Sequence, residues 1–223
     1  YFYMNTLNYD VRYNYTTKNK IDLSFGTNGM YQNSQNKGTE FLIPDYNLFD
    51  FGVFALAKKS WDKWTLSGGI RYDLRNEHGK DLWLDANGEK TENPDATSEQ
   101  QFAAFHSKFH GVSGSIGATY QINDILYTKL NFSKGFRAPN IAEISANGVH
   151  EGTVQYLIGS PNLKPENSYQ VDYSFGINSE HVTLETDLFY NNVANYIFLE
   201  KLQNSSGTDS LTNGYQTSKY TQG

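Results

Sequence analysis

Alternation of apolar and polar residues is the feature that most constrains how this chain can fold. The clearest alternating segments are 7–15, 64–75, 169–177 and 182–191, and weaker copies run through 21–25, 49–57, 112–120 and 126–136. In the first segment Leu7, Tyr9 and Val11 are separated by polar residues, whereas Phe189 breaks the pattern of the fourth. Because successive side chains of a strand point to opposite faces, this period predicts β-strands whose two faces meet different surroundings.

The connections between these segments alternate in length. The short polar turns are 17–20, 58–63, 121–124 and 178–181, and the long polar stretches are about 33–45, 77–104, 137–164 and 202–214. Transmembrane barrels have short periplasmic turns and long outer loops, and their strands must close so that no backbone group is left unpaired in lipid. The sequence therefore predicts an all-β, antiparallel, up-and-down transmembrane β-barrel. About eight strands are visible, a number that could close into a barrel by itself, and a ninth is expected to start at 215–222.

Composition agrees with this class and removes several others. Tyr (17) and Phe (14) are abundant and cysteine is absent, which favours strands and excludes disulfides, thiolate metal sites and cysteine nucleophiles. The formal charge of −6 argues against nucleic acid as a partner. No run approaches the roughly 18 apolar residues of a spanning helix. Since the strand pattern begins at Tyr1 without a signal peptide, we expect residues 1–223 to be part of a single barrel domain cut from a longer protein.

The two faces of the predicted strands have different compositions. Candidates for the interfacial aromatic girdles are Tyr1, Phe2, Tyr3, Tyr31, Trp61, Trp64, Tyr120, Tyr127 and Tyr196. Charged residues predicted to face the interior are Asp10, Arg12, Asp22, Arg71, Asp73, Arg75, Asp172, Glu185 and Asp187. A porin also has charged walls, so this face does not by itself choose a function.

Two short motifs flank the third long stretch. The first is Asn131-Phe-Ser-Lys-Gly-Phe-Arg-Ala-Pro-Asn140, and the second is Gly159-Ser-Pro-Asn-Leu-Lys-Pro-Glu166. Pro139 lacks an N–H, so the strand ending at Phe136 is expected to stop pairing there, and Pro165 is expected to act similarly on the return side. Arg137 and Glu166 are then placed near one rim, where a charge-assisted pair could tie the loop ends together.

These motifs resemble the signature of the barrel of TonB-dependent outer-membrane receptors. The residues that carry the resemblance are Phe136, Arg137, Ala138 and Pro139 in the first box and Pro161, Asn162, Leu163, Pro165 and Glu166 in the second. The resemblance implies a larger barrel, of which about eight strands are visible here. It also implies a receptor in the lipid of a Gram-negative outer membrane that binds a ferric siderophore, haem or a metal ion. It further implies import powered by the TonB–ExbB–ExbD complex through a plug outside this chain, with no catalysis and no intrinsic cofactor.

His150 and Glu151 lie in the loop between the two motifs. Imidazole is a ligand for haem iron, zinc and copper, and the neighbouring carboxylate can add an oxygen ligand. In haem-uptake members of the family a histidine in this interval ligates haem, although Ser160 stands where their second box has Asn. The expected ligand-binding residues are therefore Arg137, His150 and Glu151, with His150 as the metal candidate. The alternative is a histidine that only fixes its own turn.

Other constellations give weaker signals. Gly111-Val-Ser-Gly-Ser115 lacks the last glycine of a nucleophile elbow, and its glycines are expected to be small residues at strand crossings. His106 and His110 are four apart, a separation of roughly 13 Å on a strand, so they are not expected to share one ion. Whether His78, His106 or His110 joins a site stays open. Three other classes of protein also stay open as alternatives: a passive porin or structural barrel, an outer-membrane enzyme, and a soluble β-sandwich.

Overall fold

The computed structural model describes residues 2–38 and 41–223, so the predicted girdle residue Tyr1 lies outside the described residues. The strands are β1 (Phe2–Thr16), β2 (Ile21–Asn36), β3 (Tyr46–Trp61), β4 (Trp64–Gly79), β5 (Leu82–Leu84), β6 (Lys90–Thr91), β7 (Glu99–Phe102), β8 (Phe105–Gln121), β9 (Leu126–Arg137), β10 (Asn147–His150), β11 (Gln155–Ile158), β12 (Glu166–Asn178), β13 (Thr183–Ala194), β14 (Ile197–Lys201), β15 (Leu211–Thr212) and β16 (Tyr215–Gln222). Helix α1 (Ile141–Ser145) precedes β10. Across the described residues, no helix is long and apolar enough to cross a membrane.

Eight long strands form one antiparallel sheet. Its order is β1-β2-β3-β4-β8-β9-β12-β13, so strands that follow one another in this sheet are also neighbours. Pairing is continuous over long stretches, as between β3 and β4, where it runs from Tyr46 opposite Gly79 to Trp61 opposite Trp64. Within the described residues, β1 and β13 each have a neighbour on one side only, and the sheet is open. The predicted all-β antiparallel class and the eight strands are confirmed.

The predicted alternation of short and long connections is also confirmed. Four short turns lie at one end of the sheet, at 17–20, 62–63, 122–125 and 179–182, and all long connections leave from the other end. The second turn is tighter than the predicted 58–63, because Lys58, Lys59, Ser60 and Trp61 continue the strand ladder. We call the end with the long connections the rim.

The sheet has two chemically different faces, as the alternation predicts. One face exposes apolar side chains such as Ile70, Ile116 and Leu188. On the opposite face, Arg75 forms an ion pair with Asp50 on the neighbouring strand. Paired charges of this kind are typical of the interior of a barrel, whereas a wide exposed apolar face is typical of a surface that contacts lipid. We refer to these faces as the outer and inner faces.

The rim holds two small sheets and α1, which we call the rim layer. One sheet has the order β10-β11-β16-β14 with β15 paired to β16, and the other has the order β6-β5-β7. The strand predicted as the ninth barrel strand is β16, and its placement corrects that prediction. It pairs in parallel with β11 and antiparallel with β14, which begins just after the left-handed residue Asn195 (φ 57°) at the end of the last sheet strand. Alternation predicted the strand but could not identify its partners.

The buried apolar core lies mainly at the rim. Its members are Leu82, Phe102, Ala138, Ile141, Ile144, Ala146, Leu157, Leu163 and Ile197, together with Tyr46, Leu48 and Phe109 on the rim ends of β3 and β8. The apolar residues of the sheet's outer face are not part of this core. The rim layer is therefore held by ordinary burial, and the sheet chiefly by its strand pairing.

Candidate ligand-binding site at the rim

The first motif box ends β9 and starts α1. Pro139 is fully buried, and Asn140 caps the helix: its side chain accepts a hydrogen bond from the Glu143 N–H at 2.9 Å, while the Glu143 carboxylate accepts one from the Asn140 N–H at 2.8 Å. This is a capping box, which needs a polar cap residue and an acidic or amide residue three positions later. The sequence Asn-Ile-Ala-Glu contains that spacing, so Glu143 could have been found from the sequence, although it was not among the predicted site residues.

Arg137 connects three parts of the rim. Its Nε lies 2.5 Å from Glu166 Oε2, and its Nη1 lies 3.0 Å from both carboxylate oxygens of Glu143. Glu166 also accepts a hydrogen bond from the Ile197 N–H at 2.7 Å. Both carboxylates are largely buried, with side-chain exposures of 10% and 12%. One guanidinium therefore holds the end of β9, helix α1 and the start of β12 together, as its planar fork of donors allows.

Helix α1 packs against the inner face of the sheet. Ile141 contacts Tyr46 and Leu48, which face inward near the start of β3. Ile144 packs with Phe109 of β8, and the ring of Phe136 lies in the same cluster. That ring sits directly over Gly111, where a Cβ atom would collide with it. The helix thus covers part of the interior at the rim end, and Gly111 is small because an aromatic ring occupies the space of its side chain.

A charged cavity of about 530 Å³ opens on the inner face below the helix. Its walls include Asp50, Arg71, Asp73, Arg75 and Arg137. Arg75 donates two hydrogen bonds of 2.7 Å to Asp50, and Arg71 donates one of 2.8 Å to Asn28. These arginines are held in place by neighbours, so they present guanidinium edges that can bind carboxylate, catecholate or phosphate groups.

Glu77 lies next to this cavity and is the most enclosed charged residue of the described chain. Its side chain has 0% exposure, and neither carboxylate oxygen has a hydrogen-bond partner among the described residues. The nearest cationic group is Arg75, whose Nη1 lies 3.8 Å from Oε1. A carboxylate in this position lacks the donors that normally compensate the burial of a charge.

His150 takes part in its own turn. Its carbonyl accepts hydrogen bonds from the Thr153 N–H at 3.1 Å and the Val154 N–H at 2.9 Å. Its Nδ1 lies 3.3 Å from Thr153 Oγ1. The turn needs a left-handed residue, which is Val154 with a φ of 54°. The ring is half-buried, and its Nδ1 side is directed to this turn.

Glu151 lines a separate rim pocket of about 410 Å³. Its neighbours there include Phe41, Val149, Tyr156 and Tyr215. Burial, together with the nearby Glu99 carboxylate, raises the pKa of the Tyr156 phenol, which donates a 2.8 Å hydrogen bond to Asn147. Across residues 2–38 and 41–223, no group of three or more His, Asp or Glu side chains is placed to hold a metal ion. Arg137 borders the charged cavity and Glu151 this pocket, so the predicted residues are divided between two cavities.

Three further histidines, His78, His106 and His110, lie on the outer face. His78 of β4 and His106 of β8 are direct cross-strand partners, with ring centroids 5.9 Å apart and the rings nearly perpendicular. His110 lies against Tyr72, at 6.3 Å between centroids. His106 and His110 are residues of one continuous strand, as expected. The pair that meets is His78 with His106, which only the strand register brings together, and neither joins His150.

The fold and this rim define the class: an open wall of a transmembrane-type β-barrel with a charged inner face, an apolar outer face and a structured rim. Residues 1–223 match the family model described as "TonB dependent receptor-like, beta-barrel". The chain belongs to the TonB-dependent receptor β-barrel family. Members of this family are receptors and transporters, so the match places the chain in a receptor family and not in an enzyme family.

Two curated relatives are similar in sequence. A rhizobactin receptor of Rhizobium meliloti is 26% identical over 161 residues, covering 69% of this chain and 22% of the relative. A probable hemoglobin and hemoglobin-haptoglobin-binding protein of Haemophilus influenzae is 24% identical over 230 residues, covering 88% of this chain and 23% of the relative. The chain thus spans under a quarter of the length of either relative.

Solved structures show the same fold. A double mutant of the Serratia marcescens hemophore receptor HasR, in complex with its hemophore HasA and heme, matches with a TM-score of 0.66 and 18% identity, over 99% of this chain and 37% of that chain. The copper transporter OprC matches with a TM-score of 0.68 and 15% identity, over 98% and 33%. At these identities the likeness establishes the fold alone.

Proposed function

We propose that the protein containing this chain is a receptor of a Gram-negative outer membrane that imports a scarce nutrient, namely a ferric siderophore, haem or a metal ion. Import uses energy from the TonB–ExbB–ExbD complex, which acts on a plug supplied by another part of the protein. Residues 1–223 form part of a single transmembrane barrel domain whose outer face contacts lipid. The family match and the names of the two curated relatives support this proposal.

The observation that carries the proposal is the way the rim layer covers the inner face. Helix α1 buries Ile141 and Ile144 against inward-facing residues of β3 and β8, and Arg137 fastens it to the ends of two strands. A passive pore requires a path that stays open. A rim layer that covers part of the inner face and contains a ligand-sized pocket instead favours uptake in which ligand binding is coupled to a conformational change.

For the ligand, we propose contacts from His150, Glu151 and Arg137. The rim pocket beside Glu151 has the aromatic residues Phe41, Tyr156 and Tyr215 in its walls together with the polar Gln101 and Asn213, which suits a planar ligand with polar edges such as haem or a catecholate. His150 directly precedes Glu151 and can supply one imidazole ligand to haem iron. Arg137 borders the charged cavity beneath, where an anionic ligand would pass after release from the rim.

Growth on a single iron source tests the ligand assignment. The full-length receptor is expressed in a strain that lacks its own iron receptors, with haem, a ferric siderophore or ferric citrate as the only source. His150→Ala is expected to abolish or strongly slow growth on haem. His181→Ala is the matched control, because this exposed histidine lies in a short turn at the opposite end of the sheet. Equal growth of both variants on every source would refute the role of His150.

A passive porin is the second candidate, and conductance separates it from the receptor. In planar bilayers, the full-length protein is expected to show no steady ion current without TonB. Uptake of the nutrient in cells is expected to stop when TonB is deleted. A steady current together with TonB-independent uptake would favour the porin.

A further inference from the structure

Two histidines meet on the outer face of the sheet near the rim. His78 of β4 and His106 of β8 are direct cross-strand partners, and their ring centroids are 5.9 Å apart. Both residues are exposed. On β4 the large apolar side chains of this face end at Leu74, which is four residues, or about 13 Å along a strand, before His78. The pair therefore lies outside the apolar band of the outer face and is open to water.

The hydrogen-bond pattern of the two strands brings these side chains especially close. At the other end of the same ladder, the Gln121 N–H donates to the Lys63 carbonyl at 2.8 Å, so these two residues form a hydrogen-bonded pair. Hydrogen-bonded and non-hydrogen-bonded pairs alternate along antiparallel strands. The register is unbroken along β4, and His78 lies an odd number of positions after Lys63. His78 and His106 are therefore a non-hydrogen-bonded pair, in which the Cα atoms are only about 4.5 Å apart.

Two imidazoles at this separation can share one metal ion. Zn–N bonds are about 2.0–2.1 Å long, so two nitrogens on a tetrahedral ion lie about 3.4 Å apart. The facing atoms of the two rings are closer than their centroids, which are separated by 5.9 Å. Rotation about the side-chain bonds can thus direct one nitrogen of each ring to a common point without any movement of the strands.

The neighbours of the pair determine which ions it suits. Asn47 lies beside it on β3, and Asn76 opposite Lys108 comes next towards the apolar band. Lys80 and Lys108 are exposed, and their flexible stems let the ammonium groups stay in water away from a bound cation. Across the described residues, no third His, Asp or Glu completes a metal-holding group. Ca²⁺ and Mg²⁺ need several oxygen ligands, whereas imidazole suits copper, nickel and zinc.

We propose that His78 and His106 form a binding site for one divalent transition-metal ion, with Cu²⁺ bound more tightly than Ni²⁺ or Zn²⁺. Water occupies the other coordination positions. The ion joins the rim ends of β4 and β8, and so clamps the base of the connection that carries β5, β6 and β7. The inference rests on the strand register and does not depend on the nutrient, because this pair lies apart from His150.

Metal titration of the full-length receptor tests this proposal. The protein is purified in detergent without a histidine tag, stripped of metal with a chelator, and titrated calorimetrically with Cu²⁺, Ni²⁺, Zn²⁺ and Ca²⁺. Since changes in the outer-shell partners of a metal alone cost about 10–100-fold in affinity, His78→Ala and His106→Ala, which each remove a direct ligand, are expected to weaken Cu²⁺ binding at least about tenfold. His110→Ala is the matched control, because His110 is an exposed histidine of the same strand and face that lies opposite Leu74.

Electron paramagnetic resonance of the Cu²⁺ complex shows whether both imidazoles bind the same ion. At one equivalent of Cu²⁺, the wild type, His110→Ala and His150→Ala are expected to show coupling to two imidazole nitrogens. His78→Ala and His106→Ala are expected to lose this signal. That pattern, with Ca²⁺ bound far more weakly than Cu²⁺, supports the site.

The opposite results are equally clear. Equal Cu²⁺ affinity of the wild type and His106→Ala, an equal loss in His110→Ala, or equal binding of Ca²⁺ overturns the proposal. Nutrient uptake is measured in parallel. A receptor that imports its nutrient but lacks the two-nitrogen signal removes only this inference, whereas a protein that shows the signal but imports no nutrient removes only the proposed function.

Discussion

The eight-stranded sheet and the rim layer are stabilised in opposite ways. In the sheet, side chains such as Ile70 and Leu188 are about 60% exposed or more, and the strands are held by continuous backbone pairing. In the rim layer, Ile144, Leu157 and Ile197 are buried, as in a soluble protein. The comparison shows that the chain leaves its apolar residues exposed in the first region, as on a surface suited to lipid, and buries them against its own side chains in the second.

Truncating the rim core gives the largest expected effect. Ile144→Ala removes a buried side chain that packs with Phe109 and Ala138, which costs about 2–5 kcal/mol. The loss is expected in the local opening free energy of the rim, measured by amide hydrogen exchange at 141–158, and not in the protection of β3 and β4. Leu211→Ala, at an exposed rim position, is the control with little effect. Loss of protection throughout the sheet would contradict the division into two regions.

A charge introduced on the outer face is expected to lower the free energy of unfolding almost as much as Ile144→Ala, but only when the protein is in lipid. Ile116→Arg places an arginine on the exposed apolar side of β8, at a cost of about 2–4 kcal/mol near the bilayer centre. Reversible unfolding in lipid vesicles by denaturant measures it. The control Asn131→Arg faces inward on β9, where Asp172 is already a hydrogen-bond partner at 3.1 Å. Similar losses for the two variants would show that the two faces are not chemically distinct.

Removing the central arginine should loosen the junction between the regions. Arg137→Gln leaves Glu143 and Glu166 without their shared cation. Because the guanidinium is partly exposed, solvent screening limits the loss to about 1 kcal/mol. Faster proteolysis within 138–165 is the expected readout, and Arg137→Lys should restore protection only in part because an ammonium cannot form the same fork. Lys201→Gln, which breaks the exposed pair with Asp209, should leave the cleavage rate unchanged.

The smallest expected effect is a gain in stability. Glu77→Gln replaces a fully enclosed carboxylate that has no hydrogen-bond partner among the described residues. Arg75 keeps its two bonds to Asp50, so no cation is left unpaired. Replacing such a buried charge is often neutral or stabilising, here by about 1 kcal/mol. Thermal unfolding of the detergent-solubilised protein measures it, and a clear fall in melting temperature would show that Glu77 has a partner elsewhere in the full protein.

Most of the sheet could be predicted from sequence, and the reason is periodicity. The segments 64–75 and 169–177 alternate so regularly that strand type, face and approximate bounds all follow. Less of the candidate site could be predicted from the sequence. Arg137 and Glu166 could be placed at one rim, because two prolines fix the strand ends, whereas the His78–His106 contact required the register of β4 against β8. The spacing of Asn140 and Glu143 is that of a helix cap, but no role in the site was predicted for Glu143.

The amino-acid sequence by itself determined the strands of the eight-stranded sheet, their two faces and the order of short and long connections, because these depend on residues close together in the chain. Only the tertiary structure decided that β16 belongs to the rim layer, that α1 covers the inner face, and that Arg137 and Glu151 border different cavities. The physical reason is that the polar connections show no regular alternation of apolar and polar residues from which their contacts could be predicted. Their arrangement follows from burial and hydrogen bonding between residues far apart in sequence.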